Sequence, residues 1–186
     1  MRALGGLARR AGVSPGTVFK RFASKEELFW CAMHLSDSDD IEWIRRLDTL
    51  VGQRTVQQNL ADILTSMLLE LRRAMPHIMM AWSNLKPEFI ASKFEGDGHP
   101  AEVIDRHVRQ YLEAEMNLGR LRRFDVEQFT RVLMGYAFHT VFMQMTTEST
   151  RQSAPGTPET HAEAASLAQR FIAVFWDGLG PSPGDR

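Results

Sequence analysis

The sequence predicts an all-α protein, and three observations support that prediction. No proline lies between Pro15 and Pro76 or between Pro100 and Pro155, which allows long helices in both stretches. Strand-like alternation with β-branched residues is hard to find anywhere in the chain. N-capping residues such as Ser14 precede several of the candidate helices. With 186 residues, 44% of them hydrophobic, the chain is long enough to bury a substantial core.

The first two predicted helices are short. The first covers residues 3–10, with its leucines on one face, and a turn at Gly12 follows. Ser14 lies at the N-cap position of the second helix and Pro15 at its first helical position, where the missing N–H of proline costs nothing. We expect this helix to end near Phe22.

The third helix is predicted from Lys25 to about Leu35. Ser24 precedes it and Glu27 follows three residues later, which is the spacing of a capping box. The polar residues 36–40 indicate a break or a helix restart, and a continuing helix is the open alternative. The remaining helices are predicted over 55–74, 76–84, 100–118, 125–146 and 160–177, with a loop at 95–98, a flexible linker at 148–158 and a poorly ordered tail at 179–186.

Composition excludes several classes of protein. No apolar run approaches the roughly 18 residues that a membrane-spanning helix needs. Arg9 and Arg10 interrupt the apolar start, so it fails as a signal peptide. The single cysteine, Cys31, excludes an internal disulfide and a zinc site built on paired cysteines. We therefore expect a cytoplasmic protein with no membrane partner.

Charge is distributed unevenly along the chain. Residues 1–25 contain six Lys or Arg and no Asp or Glu, whereas the remaining 16 basic and 23 acidic residues make the rest of the chain acidic. A basic end on an acidic body suggests a polyanionic partner that only this end contacts.

The two last long helices suggest that two copies of the chain assemble. The helix from Asp125 has apolar side chains on two sides, and the final helix has a wide apolar stripe, so both need extensive cover. Two such helices can pair with those of a second chain in a four-helix bundle. We expect a homodimer, and burial of both helices inside a monomer is the open alternative. The candidate interface residues are Phe129, Val132, Tyr136, Leu167, Phe171 and Phe175.

The stretch LGGLARRAGVSPGTVFKRFASKEELF, residues 4–29, resembles the helix-turn-helix domain of the TetR family of transcriptional regulators. LARRAGVS corresponds to a scanning helix and turn, PGTVFKRF to a recognition helix, and SKEELF to the start of the next helix. The segment LGRLRRFDVEQFTRVLMGY, residues 118–136, resembles the junction before the dimerisation helices of that family. The resemblance implies a DNA-binding head in residues 1–35, which lacks its first helix, and a helical effector-binding and dimerisation domain in 36–178. The glycine and proline content of residues 179–186 predicts a disordered tail.

The second helix is suited to a DNA major groove, which is about 12 Å wide. Gly16 permits close approach of the backbone, and Lys20 and Arg21 can project towards phosphates or base edges. The resemblance places phosphate contacts at Thr17, Phe19 and Lys25, although phenylalanine here replaces the usual tyrosine and lacks its hydroxyl. The candidate DNA-binding residues are Ser14, Pro15, Gly16, Thr17, Phe19, Lys20, Arg21 and Lys25.

The start of the chain departs from the family pattern, because Met1 falls where the turn after a further helix would lie. Either Met1 is an internal methionine or the head is weakened.

The resemblance implies a ligand-responsive repressor that binds a palindromic operator as a homodimer. The alternative is a TetR-like helical sensor or interaction dimer that has lost DNA binding.

The middle of the chain is rich in methionine and aromatic residues. Such side chains can line a pocket between helices for an apolar or aromatic effector, although core packing explains each of them singly. The candidate pocket residues are Met79, Trp82, Phe89, His107, Tyr111 and Phe138.

No catalytic or metal site is predicted. The segment from Gly12 to Gly16 matches G-x-S-x-G, but a predicted helix precedes it and Pro15 has no N–H for an oxyanion. None of the six histidines forms an H-E-x-x-H pair. We therefore expect no enzyme activity and no cofactor.

Overall fold

The computed structural model describes residues 12, 14–32, 42–95, 99–147 and 158–179. Over these residues the regular structure is entirely helical, which confirms the predicted fold class. The helices are α1 (Pro15–Arg21), α2 (Lys25–Ala32), α3 (Glu42–Arg45), α4 (Leu47–Leu50), α5 (Val56–Asn84), α6 (Pro87–Ser92), α7 (Pro100–Asn117), α8 (Val126–Thr147) and α9 (Pro158–Leu179). The predicted helix over 3–10, the break at 36–40 and most of the predicted linker and tail lie outside the described residues.

The chain divides into two compact units. The first comprises residues 1–37 and 77–97, and the second comprises 38–76 and 98–186. The inclusion of 77–97 with the N-terminal residues was not predicted from the sequence, because it arises from packing between distant segments.

The core of the first unit is built around Trp30, which is 3% exposed. Ala81, Leu85 and Ile90 are buried with it in one cluster. Phe89 and Phe94 meet its ring edge-on, with centroids at 6.4 and 5.4 Å, an arrangement that contributes about 0.5–1.5 kcal/mol per pair beyond area burial. These contacts hold α2 against the end of α5 and against α6.

The second unit has a larger core, formed by α5 and the three helices α7, α8 and α9. Leu60, Leu64 and Leu68 follow one another at four-residue spacing and are fully buried, so one face of α5 is continuously apolar. The α8 and α9 helices contribute Leu133 and Ile172 to the same cluster.

The prediction that the helix breaks at Pro76 is wrong, because α5 continues through this residue. Pro76 has no N–H to donate to the Arg72 carbonyl, and a proline inside a helix costs about 3 kcal/mol. Met75 before it and Ala81 after it are each buried in the hydrophobic cluster of their own unit, and this burial offsets the cost.

The other predicted helices begin close to their predicted residues. Asp125, the predicted start of this helix, caps α8, since its Oδ1 accepts a hydrogen bond from the Gln128 N–H at 3.0 Å. The short helices α3, α4 and α6 were not predicted. Helices of one or two turns show too little periodicity, and they form here through tertiary packing of residues such as Leu47 and Ile90.

Arg72 connects three helices of the second unit. Its Nε and Nη2 donate to Gln144 Oε1 of α8 at 3.1 and 2.9 Å. Its Nη1 donates to the Thr160 carbonyl, and its Nη2 to Glu163 Oε2 at 3.0 Å, both on α9. The side chain is only 14% exposed, so these bonds satisfy a largely desolvated guanidinium.

We expect Arg72→Ala to lower the free energy of unfolding by about 2 kcal/mol, because it removes charge-assisted hydrogen bonds from a partly buried network. Arg131→Ala is the matched control, since its ion pair with Glu127 is exposed and is worth less than about 1 kcal/mol. Urea unfolding followed by circular dichroism measures both, and equal losses would contradict the assigned role of Arg72.

Candidate nucleic-acid interface

The α1 helix begins with a defined cap. Gly12 has φ +67°, a left-handed conformation that glycine adopts without strain. Ser14 Oγ accepts a hydrogen bond from the Thr17 N–H at 3.1 Å and lies 2.9 Å from Thr17 Oγ1. The predicted N-cap is therefore present, and it orients the first turn of α1.

Most of the predicted DNA-binding residues are exposed on α1 and at the start of α2. Ser14, Gly16, Thr17, Lys20, Arg21 and Lys25 are all exposed. The side chains of Pro15 and Phe19 lie outside the described part of the structure. Gly16 and Lys20 lie four residues apart, and so on one face of α1. A polyanion can therefore approach the exposed cations of this helix.

The turn between α1 and α2 is held by a capping box. Ser24 Oγ accepts from the Glu27 N–H at 3.0 Å, and Glu27 Oε2 accepts from the Ala23 N–H at 2.8 Å. Glu27 thus reaches one residue further back than the usual capping box. These bonds set the position of Lys25, the first residue of α2, relative to α1.

Sequence reasoning missed Lys93, which also lies at this end of α2. Its Nζ is 4.0 Å from Glu27 Oε1 and 5.0 Å from the centroid of the Phe89 ring. The contact joins residues far apart in the chain, so no local spacing could have indicated it.

A groove of 640 Å³ runs beside α1 and α2. Phe22 and Leu28 form part of its wall and both are half-buried, while Cys31 is exposed in it. None of the six residues predicted for an effector pocket lines this groove.

Three of the predicted effector residues, Met79, Trp82 and Phe89, belong to the first unit. Met79 and Trp82 are exposed, Trp82 by 60%. Phe89 is half-buried and packs edge-on against Trp30.

The other three predicted effector residues, His107, Tyr111 and Phe138, belong to the second unit. His107 Nδ1 lies 2.9 Å from the Val103 carbonyl, and Phe138 is exposed. Only Tyr111 is buried, and its hydroxyl accepts from Asn59 Nδ2 at 3.0 Å.

Tyr111 belongs to a buried polar network that the sequence prediction missed. Burial, followed by the charge of Glu115, raises the pKa of the Tyr111 hydroxyl. Glu115 is fully buried; its Oε1 accepts from the Gly52 N–H at 3.1 Å, and its Oε2 lies 3.3 Å from Arg120 Nε. The sequence feature that could have revealed this network is a glutamate on the apolar face of α7.

The predicted interface residues on α8 and α9 differ in exposure. Phe129 is buried in the core of its own chain, with its ring 5.3 Å from that of Phe124. Tyr136 and Phe171 are half-buried and lie against each other, with centroids 4.0 Å apart. Leu167 is half-buried, whereas Val132 and Phe175 are exposed.

The described residues were compared with the requirements of a metal site and of a membrane-spanning helix. None of their His, Cys, Asp and Glu side chains forms a group of three that could hold a metal ion. The helices they form include none with the length and apolar character needed to cross a bilayer.

Comparisons with known proteins agree with this arrangement. The family described as bacterial regulatory proteins, tetR family, matches residues 4–30. No curated protein sequence matches the chain.

Two solved structures share the fold. One is from Mesorhizobium loti and is described as a candidate TetR-family transcriptional regulator, with 20% identity, a TM-score of 0.67, and coverage of 95% of this chain and 86% of the other. The second is the transcriptional regulator FadR from Bacillus subtilis, in complex with stearoyl-CoA, with 14% identity, a TM-score of 0.61, and coverage of 91% and 87%.

The helix-turn-helix segment and the all-helical body define a DNA-binding transcriptional regulator. Residues 4–30 match the tetR family of bacterial regulatory proteins, and the chain as a whole is similar in fold to the two solved regulators.

The Glu26 carboxyl links the folding stability of the protein to pH. Hydrogen bonds with its own backbone and with Ser24 hold the pKa of Glu26 below the ordinary value of 4.5. Because this pKa is lower in the folded than in the unfolded state, the ionised carboxyl stabilises the fold at pH values above its unfolded-state pKa. That contribution is lost as the pH falls through the folded-state pKa.

We therefore expect the melting temperature of the wild type to fall more steeply below pH 4.5 than that of Glu26→Gln. Scanning fluorimetry in buffers from neutral to acid measures this difference. Parallel curves for the two proteins would contradict the interaction.

Proposed function

We propose that this regulator binds a palindromic operator as a homodimer and that a small apolar effector controls the binding. The observation that supports DNA binding most directly is the exposed group of cations on α1 and α2, namely Lys20, Arg21 and Lys25. Thr17 and Lys25 are suited to contact phosphates, and Lys20 or Arg21 to reach base edges.

A selection from random duplexes tests this proposal. Two heads about one helical turn apart, roughly 34 Å, should enrich a near-palindrome. Arg21→Ala should cost about 1–3 kcal/mol and relax the preference at one position of each half-site. If no sequence is enriched, the alternative of a sensor that has lost DNA binding replaces the proposal.

The proposed dimer uses α8 and α9. Both helices expose apolar side chains that a folded monomer leaves in water, among them Val132, Met143, Val174 and Phe175, with Val174 79% exposed. Burying such side chains gains about 25 cal/mol per Å², and clustered apolar exposure is typical of an interaction surface.

We expect sedimentation of the wild type to give about twice 21.2 kDa. Phe175→Glu should shift the protein to a monomer, because it places a charge in the apolar surface. Ala173→Glu, on the opposite and exposed side of α9, should remain dimeric. A wild-type monomer at micromolar concentration would contradict the proposed assembly.

For the effector, we propose a ligand with a long apolar group. The FadR neighbour was crystallised with stearoyl-CoA, and the buried Met67, Met75 and Tyr111 of the second unit are side chains that adapt to or pack against apolar groups.

An acyl-CoA present at about 100 times its Kd should add about 2.7 kcal/mol of stability. A thermal-shift series with CoA and acyl-CoA of rising chain length measures this, and stabilisation by CoA alone would contradict the apolar contribution.

A regulator that binds an operator must act in the compartment that contains the DNA, so we propose a cytoplasmic location. The family and fold are those of transcriptional regulators, and we propose no catalytic role.

A further inference from the structure

We infer that Pro76 makes α5 a hinge, about which the first unit, residues 1–37 and 77–97, changes its orientation relative to the second. Three features of α5 coincide at this residue: the boundary between the units, a missing backbone hydrogen bond and an interruption of side-chain burial. None of them depends on the proposed operator or effector.

The boundary between the two units falls inside α5. Pro76 is the last residue of a segment of the second unit, and His77 is the first residue of the segment that belongs to the first unit. The chain also passes between the units after residues 37 and 97, but those crossings lie outside the residues that the structure describes. Within the described ranges, α5 is therefore the helix that joins the two units.

The backbone of α5 is weakened at the same residue. Pro76 lies inside the helix and has no N–H, so the Arg72 carbonyl lacks the hydrogen bond that a residue four positions later normally donates. The proline ring also crowds that carbonyl, and sharp bends in helices occur at such prolines. The bond is therefore missing at the residue where the units divide.

The burial of side chains is interrupted there as well. Met75 is buried in the core of the second unit, and Ala81 is buried in the core of the first. None of the five residues between them is buried, and only Ile78 is half-buried. A stretch with so little packing opens at a low free-energy cost, so residues 76–80 can absorb a change of backbone angles as hinge residues do.

The two ends of α5 are each anchored in their own unit. On one side of the hinge, Arg72 donates hydrogen bonds to Gln144 of α8 and to the Thr160 carbonyl of α9. On the other side, Leu85 is buried with Trp30 of α2. Each end therefore moves with the helices of its own unit, as in a hinge motion between rigid bodies. A molecule that binds one orientation better shifts the population towards it.

Hydrogen exchange of the full-length chain, followed by mass spectrometry, tests the flexibility of residues 76–80. We expect the amides of 77–80 to exchange at least about tenfold more slowly in Pro76→Ala, because alanine restores the hydrogen bond and removes the crowding. Pro100→Ala is the matched control, since Pro100 is the first residue of α7, where proline costs nothing. It should leave the exchange of 77–80 unchanged.

A fluorescence distance measurement tests whether this flexibility moves the units. One dye is placed on the exposed Cys31 of the first unit and the other on Gln110→Cys, at an exposed position on α7. Labelled chains are mixed with an excess of unlabelled chains, so that distances within one chain are measured. A protein with Pro76 should show a broad distribution of distances, and Pro76→Ala a narrower one, whereas Pro100→Ala should match the parent.

Wild-type amides of 77–80 that exchange as slowly as those of residues 60–72 would overturn the inference. A distance distribution that Pro76→Ala leaves unchanged would do the same. Equal effects of Pro76→Ala and Pro100→Ala would also contradict it, since they would indicate a general effect of removing a proline. Melting temperatures confirm that each variant is folded. Both measurements are made without DNA or effector, so a failure of the proposed function leaves this result unaffected.

Discussion

Trp30 is buried against Ala81, Leu85 and Ile90, and the position of α2, with Lys25 at its start, depends on this packing. The indole determines where α2 lies relative to the end of α5 and to α6. The capping box at Ser24 then fixes the turn that joins α1 to α2. The exposed cations are flexible side chains, but the rigid aromatic core beneath them provides a common base from which DNA can be contacted.

The second unit depends on buried polar groups as well as on leucine packing. Arg72 and Glu115 each have an ion-pair partner, and a desolvated charge without partners would cost several kcal/mol. Arg72 connects α5 to α8 and α9, the two helices of the proposed dimer surface. Arg72 therefore helps to hold in place the two helices of that proposed surface.

The two structural neighbours share the fold over nine-tenths of this chain at 20% and 14% identity. A fold persists through such divergence because many apolar side chains fill the same space, whereas a ligand site depends on particular polar groups and cavity shape. The match at residues 4–30 lies where DNA geometry constrains the sequence.

The sequence alone determined the all-α class, the caps of α1 and α2, the start of α8, and the exposed cations at Lys20, Arg21 and Lys25. These features depend on local chemistry, namely helical spacing, serine or aspartate at N-caps, and charge. Only the tertiary structure decided that α5 passes through Pro76, that 77–97 joins the N-terminal residues, and that Lys93 lies beside α2. Each of those results depends on contacts between distant segments, whose burial energy outweighs local propensity and leaves no trace in local spacing.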